Sequence, residues 1–107
     1  MLDEGFIRQW SDKFRQIATK GQSRNDYQDE LTLAVEDLSK HVSVAFAGKE
    51  REYLQAVAGR LNVEATACEA YDPKVPNKLT DPQLNMLGRV AVLREAVEMI
   101  KAIPAKS

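Results

Sequence analysis

Cysteine and histidine each occur once in these 107 residues, and the two scarcities exclude a good deal of chemistry. Cys68 alone cannot form an internal disulfide, and Cys68 with His41 cannot make a zinc site of Cys/His type within one chain. A carboxylate-bridged di-metal bundle needs two Glu-x-x-His pairs on facing helices, so it is excluded too. Glycines are few and isolated: Gly5, Gly21, Gly48, Gly59 and Gly88 form neither a P-loop nor a dinucleotide fingerprint. No acidic loop has EF-hand spacing. No metal and no cofactor are therefore expected. Long apolar runs are also missing. The longest mostly apolar stretch, Val42 to Ala47, falls far short of the roughly 20 residues that cross a bilayer. The start Met1-Leu2-Asp3-Glu4 carries neither the basic nor the apolar part of a signal peptide. Together with one free thiol, this makes the cytoplasm the expected location, with no membrane attachment.

An excess of charge of either sign is lacking as well. Fifteen Lys and Arg against sixteen Asp and Glu leave a net charge of -1. A dedicated nucleic-acid binder needs surplus cations facing phosphates, so that class is disfavoured. What is present is a chain that can fold: 44% of it is apolar and 29% charged, outside the disordered range and of a length for a single domain.

The apolar pattern is helical throughout and predicts an all-α fold, a small antiparallel bundle of about four helices. Over 3–20, Ile7, Trp10, Phe14 and Ile17 recur at spacings of three and four, with Phe6 and Ala18 widening the stripe and Gly21 placed as a C-terminal cap. Over 26–47, the seam is Tyr27, Leu31, Ala34, Leu38, His41 and Ala45, flanked by Val35, Val42 and Phe46. Residues 42–47 alternate weakly, so a short strand competes with helix there, although it would find no partner strand. Over 49–71, Leu54, Val57, Ala58, Leu61, Ala65 and Cys68 share a face, with Gly59 opposite. One helix, or two broken near Asn62-Val63, fits this stretch. Residues 72–81 hold Pro73 and Pro76 and read as an internal linker. Asp81 and Pro82 then suit the cap and first position of a helix over 82–103, which Pro104 ends, leaving 104–107 as a frayed tail.

The last helix is the most informative. Met86, Val90, Leu93, Val97 and Ile100 form a heptad-like seam, and Val92, Ala96, Met99 and Ile103 form a second stripe beside it. At 100° per residue the apolar positions cover an arc of about 180°, whereas an ordinary surface helix needs about 100°. The surplus arc calls for a cover, and Val92, Ala96, Met99, Ile103, Met86 and Val90 are the expected protein interface. A second copy is one candidate cover, since two-fold dimers are the commonest oligomers.

Several residues invite a sharper reading and have a plainer one. His41 with Asp37 one turn earlier could be an oriented general base, or simply a histidine on a helix seam. Cys68 lies on the apolar stripe, where a thiol is ordinarily core rather than nucleophile. Trp10 could anchor a partner, but it shares its stripe with core residues. Residues 22–48 carry two basic and five acidic side chains, which could steer a basic partner or merely keep a helix face solvated.

No catalytic constellation emerges, so the expected function is non-enzymatic: a small regulatory protein that docks on another protein through an apolar helix face, such as an anti-activator or an inhibitor of a transcription factor or enzyme. A secretion or assembly chaperone is the alternative. A helix-turn-helix nucleic-acid binder across Ala47-Gly48-Lys49, whose second helix would present Arg51, Gln55 and Arg60, is a lesser one, opposed by Glu50, Glu52 and the acidic helix before it.

Overall fold

The computed structural model describes the backbone of residues 2–20, 23–69 and 81–103 and the side chains of 2–20, 23–68 and 89–103. It contains four helices, α1 Glu4–Thr19, α2 Arg24–Ala45, α3 Glu50–Glu69 and α4 Asp81–Lys101, and no strand among the described residues. The all-α expectation is met. The cap expected at Gly21, the linker 72–81 except Asp81, and the tail 104–107 lie outside the described residues.

Several helix ends have a local cause. The Asp3 carboxylate accepts the Phe6 N–H at 3.3 Å, and Glu4 places a negative charge at the positive end of the α1 dipole. Ser23 caps α2 by accepting the Asp26 N–H at 3.4 Å, so the helix begins two residues before the expected start. Residues 42–45 are helical, and the Phe46 N–H still reaches the Val42 carbonyl at 2.9 Å, which removes the strand alternative. Gly48 then makes the reversal with φ +88°, a conformation that side chains with a Cβ resist. The Lys49 N–H bonds the Phe46 carbonyl at 2.9 Å, and the Lys49 carbonyl accepts from Tyr53 at 3.2 Å to open α3.

α3 is a single helix with no break near Asn62. Leu61 and Ala65, both fully buried, hold it to the core on either side of that point, while Asn62 and Val63 face solvent. α4 ends at Lys101 rather than 103, and the Ile103 N–H closes a tighter final turn on the Ile100 carbonyl at 3.1 Å.

Contacts between helices fix their directions. Lys20 meets Glu30, Trp10 meets His41 and Phe6 meets Phe46, so α1 and α2 are antiparallel. Asp3 pairs with Tyr53 and Arg15 with Glu64, so α1 and α3 are parallel. Arg94 at the middle of α4 reaches Asn62, and Arg51 at the start of α3 lies near Lys101 and Ile103, so α3 and α4 are antiparallel. Every pair of helices touches, α3 with α4 most extensively.

The core draws on all four helices: Phe14, Leu31, Leu38, Val57, Leu61, Leu93, Ala96 and Ile100 are almost fully enclosed. Ser11, the one buried polar side chain of α1, donates to the Ile7 carbonyl at 2.7 Å and so leaves no unpaired hydroxyl. One end of the bundle is aromatic. Phe46 stacks on Tyr53 at 3.8 Å, Phe6 meets both rings edge-on, and the buried Tyr53 hydroxyl accepts the Asp3 N–H at 2.7 Å.

Along α2 the seam departs from expectation. Leu31, Ala34, Val35, Leu38 and Val42 are buried, whereas His41 and Ala45 are exposed. Spacings of four and three average 3.5 residues per turn, while a straight helix has 3.6, so the buried stripe rotates by about 20° per heptad. By the last turns it has passed from His41 to Val42.

Candidate functional site

The surplus arc of α4 is met within the chain. Val92 is 7% exposed and Ala96 0%, both in the same core as Leu93, Val97 and Ile100. The expectation that these two offer an open interface is thereby corrected. α4 packs against α1, α2 and α3, and three neighbours require a wider apolar arc than one. Val90, Met99 and Ile103 are partly buried, with Met99 and Ile103 packed against the core, and the side chain of Met86 lies outside the described residues.

His41, Cys68 and Trp10 take their plainer roles. The His41 Nδ1 bonds the Asp37 main-chain carbonyl at 2.8 Å, not the Asp37 carboxylate. A carbonyl can only accept, so Nδ1 holds the proton in this contact. The ring meets Trp10 at 5.4 Å, and Trp10 is itself buried, with Lys13 Nζ 4.7 Å from its ring centre. Cys68 is buried. Among the described residues no three His, Cys, Asp or Glu side chains are placed to hold a metal ion, and no helix is long and apolar enough to cross a membrane.

Polar ties between helices account for much of the remaining charge. Arg15 bonds both Asp12 and Glu64, and Arg60 bonds Glu4, linking α1 to α3. Between α2 and α4, the Gln28 amide donates to Glu95 at 2.6 Å and Arg24 stands 3.7 Å away. Donation from Gln28 holds the Glu95 carboxyl below its usual range, partly opposed by desolvation and assisted by Tyr27 and Arg24. Desolvation, and then the bond to Glu95, push the Tyr27 phenol up.

Grooves remain open on the surface among the described residues, and two stand out. The smaller, about 260 Å³, lies between α1 and α2 and is lined by Lys13, Lys20, Glu30, Leu33 and Asp37 among others. Its charges are balanced, and Lys20 pairs with Glu30 across it at 3.0 Å. The larger, about 660 Å³, lies between α3 and α4. Leu54, Ala58 and Ile100 form its buried floor, with Ile103 at one end. Arg51, Gln55, Asn62 and Lys101 form an exposed rim, and no carboxylate lines it among the described residues. Neither Arg51 nor Lys101 forms an ion pair with a described residue, unlike Arg15, Arg24 and Arg60. Gly59 opens the wall, since a Cβ placed there would meet nothing within 4 Å.

Sequence reasoning found one lining residue of this groove among its interface candidates, Ile103, and read Arg51 and Gln55 of the rim only as the face of the helix-turn-helix alternative. The rim residues are ordinary exposed helix positions, and only the antiparallel pairing of α3 with α4 brings them together. Comparison with protein-family models, with curated proteins and with solved structures finds no match to this chain.

Proposed function

We propose that this chain works without catalysis, by binding another protein and altering that partner's assembly or activity, in the manner of an anti-activator or inhibitor. The α3–α4 groove is the observation that carries the reading. It offers an apolar floor, Leu54, Ala58 and Ile100, beneath cations that find no ion-pair partner in the described part of the chain. Apolar anchors supply affinity in such contacts, and flanking charges set register and on-rate. Burial of Val92 and Ala96 moves the proposed surface away from the second stripe of α4, and with it goes the main argument for a homodimer. A reducing, cytoplasmic setting suits the free thiol of Cys68.

The test is capture with the tagged full chain from its native host, followed by reconstitution from purified components. The expected result is one protein that binds at a fixed stoichiometry by calorimetry, with its activity or assembly changed in the complex. A chain that retains no protein in the host, or that turns over a small molecule in an unbiased metabolite screen, would defeat the reading.

A further inference from the structure

The groove between α3 and α4 limits what its occupant can be. Arg51 and Asn62, at its two ends along α3, are eleven residues apart, about 16 Å of helix. That span matches about three turns of a second helix laid alongside. A small-molecule site would hold a few convergent polar groups within an enclosed pocket. Here every polar lining residue, Arg51, Gln55, Asn62 and Lys101, stands on the exposed rim. Because α3 and α4 are antiparallel, Arg51 and Lys101 flank the same end, and they are the charged side chains among the described lining residues. Gly59 is exposed in mid-helix, where alanine would be the better helix former, and it leaves room for another backbone to approach closely.

Resting on the protein-binding reading above, we propose that this groove receives an acidic amphipathic helix of a partner protein. The apolar face of that helix lies on Leu54, Ala58 and Ile100. Its backbone passes closest at Gly59, and its carboxylates gather at the Arg51–Lys101 end.

The full-length chain can be titrated against a fluorescent, helix-stapled peptide of about eleven residues with leucines on one face and glutamates flanking them at one end. Its counterpart carries lysines in place of the glutamates. Anisotropy should rise with the acidic peptide and not with the basic one. Arg51→Glu with Lys101→Glu should weaken binding at least tenfold. Gly59→Leu should do the same while raising the melting temperature, because leucine improves the helix as it fills the groove; lost binding then cannot be ascribed to misfolding. Equal binding of both peptides, no binding of the acidic one, or indifference to Gly59→Leu would overturn the assignment. So would light scattering in which Gly59→Leu turns a dimer into a monomer, which would make a second copy the occupant. If the captured host partner binds the groove variants as well as wild type, the protein-binding reading stands and the groove assignment falls.

Discussion

Two glycines on exposed backbone show how differently the same residue can act. Gly48 sits at φ +88° with open space around it, so a Cβ there meets no neighbour but strains the main chain. The left-handed conformation costs a residue with a side chain roughly 1–2 kcal/mol. Gly59 has ordinary helical backbone, exposure and open space, so a Cβ there removes unfolded-state freedom without strain. Gly48→Ala should therefore lower stability by about 1 kcal/mol, and Gly59→Ala should raise it by about 0.8 kcal/mol. Thermal melts separate the two, since about 1 kcal/mol moves the midpoint of a domain near this size by roughly 4 °C or more. Opposite signs at two glycines would be difficult to obtain from any account that treats glycine simply as flexible. If Gly59→Ala destabilised, something would already fill the space beside α3.

At the scale of elements, the helices were legible in the sequence because each carries an apolar stripe at a period near 3.6, and α1 and α2 also carry a polar cap at the start. Asp3 and Ser23 have the residue type and the position of caps, each just ahead of an apolar stripe, and Ile7, Trp10, Phe14 and Ile17 are buried as their spacing requires. The face that α4 turns outward was not legible. An arc of apolar residues gives the width of the buried surface but not the number of neighbours that bury it, and a single chain with three packed partners uses the same arc as a dimer. The groove was illegible for a related reason: Arg51 and Gln55 share a face of α3, but Lys101 stands on α4, and no period within one helix joins them. The tie between α2 and α4 is likewise a product of packing, and it yields a pH prediction. Glu95 titrates below an unfolded glutamate, whose value is about 4.3. Its contribution to stability is thus fully present above that unfolded value and is lost as pH falls through the lower, folded one. In Gln28→Ala the largest stabilising donation is gone, so the Glu95 carboxyl should titrate nearer the unfolded value by NMR. The loss of stability on acidification should also be shallower in urea melts. An unchanged Glu95 titration would mean that the 2.6 Å contact with Gln28 is not kept in solution.

For the whole molecule, the decisive question is whether α4 completes one chain's core or waits for a second chain. A domain of this length buries only about two thirds of its extendable surface, so there is little core to spare. Val92, Ala96, Val97 and Ile100 account for part of it from a single helix, facing residues of α1, α2 and α3. An aspartate at Val92, 7% exposed, would put a charge with no partner into that centre. An uncompensated buried charge costs about 3–5 kcal/mol, against a total stability of about 5–15 kcal/mol for folded domains. Val92→Asp should therefore lose much of its urea resistance as a single cooperative transition in far-UV circular dichroism. Val63→Asp, at a position 69% exposed, should stay within about 0.5 kcal/mol of wild type. The competing arrangement makes the opposite forecast: a Val92→Asp chain with wild-type helicity and urea midpoint but a halved mass by light scattering would place α4 at a subunit interface. Burial within one chain forecasts a destabilised protein whose mass per folded particle does not change.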